Sequence, residues 1–80
     1  MERTEVLTQV QEIFRTVLQN ESVVLADEMT AEDVPGWDSL THVVLISEIE
    51  KHFGIRFAIR EMLSWKTVGK MVDCIVKKLG

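Results

Sequence analysis

The residues best suited to covalent chemistry lie close together between positions 37 and 42. Ser39 offers a hydroxyl group, Asp38 precedes it, and His42 follows it by three residues. A nucleophilic enzyme needs a base within hydrogen-bond reach of the nucleophile and a third group that orients the base. On a helix, His42 would lie about 60° from Ser39 toward the predicted core, and Asp38 is better suited to capping that helix. We therefore expect no catalytic site.

The other side chains that could carry chemistry are expected to have structural roles. His42 should pack under Trp37, because the residue before a helix cap commonly packs against the fourth helical residue. His52 is expected at the surface, and Cys74 is expected to pack at the edge of an apolar stripe. The spacing of histidines and carboxylates predicts no zinc or calcium site, and the sequence has no glycine-rich phosphate loop.

Ser39 is predicted to open a long helix at the end of a loop. Pro35-Gly36 is typical of a turn, and the Asp38 carboxylate can accept from the unpaired N–H groups of the first helical turn. Gly54 predicts that this helix ends at about His52. The residues predicted to face the core on a helical wheel are Val43, Leu45, Ile46, Ile49 and Phe53, with His42 in the middle of their arc.

Apolar residues at helical spacing predict three more helices, and the 80 residues suit one domain spanning 1–80. Thr67 is expected to cap the last helix, and Thr30 with Asp33 is expected to cap a single turn within the long connection. The predicted fold is all-α, a bundle of three main antiparallel helices plus one short helix. The predicted helices cover residues 3–18, 39–52, 59–64 and 68–79, and the long connection covers residues 19–38.

The triplet Asp38-Ser39-Leu40 at a loop-to-helix junction resembles the modification motif of acyl and peptidyl carrier proteins. The whole chain is similar to that family in its order of helix, long loop, serine-bearing helix, short helix and final helix. The resemblance implies that Ser39 carries a covalent 4′-phosphopantetheine arm, with Asp38 and Leu40 positioning it. In the family, a separate phosphopantetheinyl transferase attaches the arm from coenzyme A with a magnesium ion. The thiol of the arm then holds an acyl group as a thioester, and the carrier itself is not an enzyme.

The outer face predicted for the Ser39 helix is a candidate partner surface, because its apolar residues lie opposite the core arc. The candidate contacts are Leu40, Val44, Ser47 and Glu48. Carriers of bacterial fatty-acid synthesis usually have acids where this chain has Thr41 and Val44, so the resemblance favours a carrier dedicated to a specialised pathway. The expected partners are the transferase, an acyl- or aminoacyl-loading enzyme and a downstream synthase.

The resemblance also implies a pocket for the cargo between the Ser39 helix and the short helix. The candidate lining residues are Ile46, Ile49, Met62 and Trp65. Met62 can adapt to variable shapes, whereas Trp65 is large enough to narrow the pocket. We therefore expect a short or polar acyl or aminoacyl group rather than a long fatty chain.

The distribution of charge along the chain limits the classes of partner that it could bind. Residues 1–50 contain eleven acidic and two basic residues, whereas residues 51–80 contain two acidic and seven basic residues. An acidic region around Ser39 would repel nucleic acid and attract basic protein surfaces.

A single cysteine suits a reducing compartment, and no apolar run approaches the roughly 20 residues of a membrane helix. We expect a stand-alone, monomeric, soluble cytoplasmic carrier. The open alternatives are an aminoacyl or peptidyl carrier and an unmodified helical adaptor in which Leu40 and Val44 dock a partner helix.

Overall fold

Four helices form where apolar residues recur at helical spacing. The computed structural model describes residues 2–80, and within that range the α-helices are α1 (Arg3–Leu18), α2 (Ser39–Phe53), α3 (Ile59–Ser64) and α4 (Val68–Leu79), with a 3₁₀ turn at Ala31–Asp33. The predicted all-α bundle of three main helices and one short helix is confirmed. The bounds of α1, α3 and α4 agree with the prediction, and α2 is one residue longer than predicted.

The ends of the helices have the caps that the sequence predicts. Gly54 ends α2 at φ +67°, in the left-handed region that glycine adopts without steric cost. The Thr67 hydroxyl accepts from the backbone N–H of Lys70 at the start of α4. Within the long connection, the Asp33 carboxylate accepts from the Thr30 backbone N–H at 2.9 Å, which closes the predicted single turn.

The core is formed mainly by α1, α2 and α4, with α1 in contact with both of the others and α3 packed against α4. The fully buried residues of these three helices are Val6, Val10, Phe14, Leu45, Ile49, Val68, Met71, Val72 and Ile75. The prediction that Val43 faces the core is wrong, since 66% of its surface is exposed. The reason is that α3 packs on α4 and leaves that side of α2 uncovered.

The long connection between α1 and α2 is held in place by polar contacts at the start of α4. The backbone N–H groups of Val68 and Gly69 donate to the carbonyl oxygens of Met29 and Asp27, each at 2.9 Å. The Arg3 guanidinium binds the Asp27 carboxylate at 2.9 Å and also donates to the Gly69 carbonyl oxygen at 3.2 Å. The first two bonds satisfy N–H groups at the start of α4, and together the contacts anchor the middle of the connection against that end of α4.

The short helix α3 depends on one acidic side chain. Glu61 accepts from the Ala58 backbone N–H at 2.7 Å and forms an ion pair with the Lys78 ammonium at 2.9 Å. These two contacts lower the pKa of Glu61 to about 2. Because Lys78 belongs to α4, the ion pair ties α3 to α4 and so fixes the position of the chain that follows α3.

Candidate functional site

The start of α2 is fixed by a reciprocal pair of side-chain caps. The Asp38 carboxylate accepts from the backbone N–H groups of Leu40 at 3.0 Å and Thr41 at 2.9 Å. The Thr41 hydroxyl accepts from the Asp38 N–H at 2.8 Å and donates to the Gly36 carbonyl oxygen at 2.8 Å. The Thr41 N–H, with smaller contributions from the Thr41 hydroxyl and Leu40 N–H, holds the pKa of Asp38 below its ordinary value. Asp38 therefore acts as a cap, as predicted.

Ser39 is the first residue of α2, and it is exposed. It lies on the wall of an open groove of about 610 Å³ between the α1–α2 connection, the start of α2 and the α3–α4 connection. The residues that line this groove, called the Ser39 groove below, include Trp37, His42, Trp65 and Lys66. An exposed hydroxyl at a helix start and beside a groove is accessible to a modifying enzyme.

Aromatic residues form a continuous row behind this groove. Trp37 packs edge-on against Phe14, with ring centroids 4.9 Å apart, and stacks on the His42 ring at 5.9 Å. Trp65 lies edge-on to His42 at 6.3 Å and to Phe57 at 4.7 Å. The row joins α1, α2 and all three connections between the helices, so the walls of the groove are braced by the core. The predicted packing of His42 against Trp37 is confirmed.

His42 and Asp38 are arranged to support structure at this site. The Trp37 indole N–H donates to His42 Nδ1 at 3.0 Å, and burial lowers the pKa of His42. Within residues 2–80, no hydrogen bond joins Ser39 to His42. The same range contains no group of three or more His, Cys, Asp or Glu side chains that could hold a metal ion.

The remaining chemically active side chains, His52 and Cys74, lie away from the Ser39 groove. His52 is exposed and its Nε2 lies 2.7 Å from Gln9 Oε1. Cys74 is half-buried against the core, as predicted, and its Sγ lies 3.5 Å from Glu61 Oε2. Burial, and to a lesser extent Glu61, raises the pKa of the Cys74 thiol, so the thiolate that would react is disfavoured.

The four residues predicted as partner contacts lie along the outer side of α2. Leu40 is 79% exposed and Val44 is 47% exposed, while Glu48 is exposed and Ser47 half-buried. Val44 and Glu48 also line a second groove, of about 630 Å³, between α1 and α2. The exposed Val43 lies on the same helix and enlarges the apolar part of this side of α2.

The four residues predicted to line a cargo pocket occupy different environments. Ile49 is fully buried and Ile46 is 7% exposed, and both belong to the core. Met62 is half-buried and packs against the core. Trp65 lines the Ser39 groove, together with Lys66 and residues 30–32. The sequence contains no short-range signal for Lys66 or residues 30–32, because the tertiary fold alone brings these segments together.

Comparisons with known proteins agree with this geometry. A family model described as a phosphopantetheine attachment site matches residues 8–75. The chain is 32% identical to the acyl carrier protein of Thermotoga maritima over 78 residues, which cover 98% of this chain and 96% of that protein. The solution NMR structure of the holo acyl carrier protein from Geobacter metallireducens matches with a TM-score of 0.87 and 42% identity, covering 92% of this chain and 85% of that one. Within residues 2–80, no helix has the length and apolar character needed to cross a membrane.

Proposed function

The chain belongs to the acyl carrier family, whose members hold a phosphopantetheine prosthetic group and are not enzymes, and we propose that Ser39 carries that group. The observation that supports Ser39 most directly is its exposed position immediately after the Asp38 cap. The chemistry that the bound group supplies is a terminal thiol, which holds an acyl group as a thioester. The chain's own residues supply the attachment point and the surroundings of the arm.

The residues around Ser39 suit a phosphodiester at its hydroxyl. The start of a helix carries the positive end of the helix dipole, which favours a phosphate. The Asp38 carboxylate occupies the N–H groups of Leu40 and Thr41, so the cap holds the backbone rigid while the Ser39 side chain remains at the surface. Transfer from coenzyme A would break its pyrophosphate linkage, form the Oγ–phosphorus bond, release the hydroxyl proton and leave adenosine 3′,5′-bisphosphate.

We propose that the cargo is a short or polar acyl group, delivered to enzymes of fatty-acid, polyketide or specialised biosynthesis, with a specialised pathway favoured. Both named relatives are acyl carriers, which favours acyl cargo over aminoacyl or peptidyl cargo. Thr41 and Val44 stand where fatty-acid carriers usually have acids, and Thr41 is committed to the helix cap. The family match disfavours the unmodified adaptor. Sequence length and composition remain the basis for predicting a single domain, a monomer and a cytoplasmic location.

The proposed partners are a phosphopantetheinyl transferase, a loading enzyme and a downstream synthase. Their docking surface would be the exposed part of α2, which combines the apolar Leu40 and Val44 with the acidic Glu48. A basic enzyme surface with an apolar centre is complementary to this pattern, because charge steers the encounter and apolar contact stabilises it. Ser39 adjoins Leu40, so docking there would bring the attachment point to the enzyme.

Intact mass spectrometry after incubation with coenzyme A, magnesium and a broad-specificity transferase tests the assignment of Ser39. The wild-type chain should gain one phosphopantetheine, and Ser39→Ala should gain none. Ser22→Ala is the matched control, because Ser22 is another exposed serine, lies in the α1–α2 connection outside the predicted partner surface, and its replacement should leave the modification intact. An unchanged wild-type mass, or modification of the Ser39→Ala variant, would overturn the proposal.

A further inference from the structure

The protonation state of His42 is set by its contact with Trp37. An indole N–H is a donor only, so His42 Nδ1, 3.0 Å from Trp37 Nε1, must accept. A ring with a bare Nδ1 is neutral and carries its proton on Nε2. The lowered pKa of His42, caused by burial, favours the same neutral form. His42 therefore has one N–H donor left, at Nε2.

That remaining donor belongs to a ring that lines the Ser39 groove. Within residues 2–80, Trp37 is the only hydrogen-bond partner of the His42 side chain. Trp37, which stacks on the His42 ring, and Trp65, which lies edge-on to it, line the same groove and supply apolar surface next to the histidine. The groove thus combines apolar surface with a lining side chain that has a free N–H donor, which is the usual composition of a small-molecule site.

The charges around the groove favour a neutral occupant. Its lining includes the carboxylates of Glu32 and Asp38 and the ammonium of Lys66, a formal sum of one negative charge. An anion would gain little from these charges, whereas a chain of amides and methyl groups would match the two tryptophans and the free N–H. The pantetheine part of the arm, beyond its phosphate, has that composition: a gem-dimethyl group, two amides and methylene groups.

Proximity to the attachment point also favours this groove over the gap between α2 and α3. Ser39 itself lines the groove, so an arm attached there starts at its edge. Ile46 lies seven residues along α2, which corresponds to about 10 Å of helix rise, and it is buried in the core. An arm held on Ser39 therefore reaches the Ser39 groove without opening the core.

We propose that the phosphopantetheine arm folds back into the Ser39 groove, where His42 Nε2–H donates a hydrogen bond to one of its amide carbonyl oxygens. Trp37 and Trp65 pack against the methyl and methylene groups of the arm. This inference rests on the proposed attachment at Ser39 and adds a resting position for the arm, with His42 as its positioning residue. The tethered thiol is then held near the start of α2 until a partner enzyme draws it out.

NMR spectroscopy of the ¹⁵N-labelled protein before and after attachment of the arm tests this inference. His42 should show a bare Nδ1 and a protonated Nε2 in both forms. Attachment should shift the Nε2–H signal and produce nuclear Overhauser contacts from the Trp37 and Trp65 rings to the arm's methyl groups. Unchanged His42 signals, or contacts from the arm to Ile59 or Met62 instead, would overturn the proposal.

Two substitutions of His42 separate its contact with Trp37 from its contact with the arm. His42→Asn places an acceptor near the position of Nδ1 and removes the ε donor. The population of molecules with the arm bound in the Ser39 groove should therefore fall by about 2- to 10-fold, the range for one neutral hydrogen bond. His42→Gln retains an ε donor, so it should keep more of the arm contact while losing the bond to Trp37. Equal arm contacts in the wild type and His42→Asn would refute the role of Nε2–H. Because mass spectrometry establishes attachment first, failure of modification and failure of docking are distinguished.

Discussion

Two leucines on α2 offer a direct test of which side of the helix faces partners. Leu40 and Leu45 undergo the same chemical change on replacement by alanine, but Leu40 is 79% exposed and Leu45 is fully buried. Removing a buried leucine side chain costs about 2–5 kcal/mol of unfolding free energy, because transfer and cavity terms add. An exposed substitution usually changes stability by no more than about 0.5 kcal/mol.

These magnitudes translate into clearly separated melting temperatures. A domain of this size loses roughly 4–8 °C for each kcal/mol, so Leu45→Ala should lower the melting temperature by about 8 °C or more. Leu40→Ala should change it by about 4 °C or less. Thermal unfolding followed by circular dichroism at 222 nm and urea titration give independent measurements of the same difference.

The KM of the transferase for the carrier should be changed more by Leu40→Ala than by Leu45→Ala, which is the reverse of their effects on stability. Leu40→Ala should raise the KM of the transferase for the carrier by about 5-fold or more, the equivalent of roughly 1 kcal/mol of lost contact. Leu45→Ala, assayed well below its melting temperature, should have a KM close to that of the wild type. The partner role of Leu40 would be refuted by an unchanged KM, and the assigned helix face by a large loss of stability in Leu40→Ala.

Two further predictions concern pH and packing. Burial lowers the pKa of His42, so as the pH falls the unfolded chain binds a proton at this residue before the folded chain does. The free energy of unfolding should therefore decrease as the pH falls below 6.5, the ordinary pKa of histidine. Urea titrations at pH 7.5 and 5.5 should show a larger decrease in this free energy for the wild type than for His42→Gln, and equal decreases would contradict the role of His42. Gly69→Ala should destabilise the fold by about 1–3 kcal/mol, because the added Cβ would lie 3.0 Å from the Asp27 carbonyl oxygen. Gly80→Ala is the milder comparison, because its added Cβ would lie 3.3 Å from the Val76 carbonyl oxygen, and equal melting temperatures for the two variants would show that the loop yields freely.

The helices could be predicted from sequence because their signals are local. The caps at Asp38, Thr67 and Gly54 each involve residues within a few positions, and the structure forms them as expected. The contact between Trp37 and His42 was predictable for the same reason, since it spans five residues at a helix start. Local patterns of this kind determine where α2 begins and therefore where Ser39 lies.

The groove could not be predicted, because it depends on contacts between distant segments. Trp65 approaches His42 only once α3 has packed on α4, and Glu61 and Lys78 hold that arrangement. The same packing explains the incorrect placement of Val43: a helical wheel assigns its direction but does not specify which neighbour covers it. The sequence predicts the direction in which a helical side chain points, whereas the residues that surround the side chain depend on the fold.

The first turn of α2 presents three different surfaces because successive helical residues are about 100° apart. Ser39 is exposed beside the groove, Leu40 projects into solvent, and His42 turns back toward the aromatic row. The reciprocal cap between Asp38 and Thr41 fixes the rotation of this turn, so it orients all three side chains at once. The proposed attachment point, the proposed partner contact and the proposed positioning residue of the arm therefore lie within one turn, so a partner docked on Leu40 would lie one residue from the base of the arm.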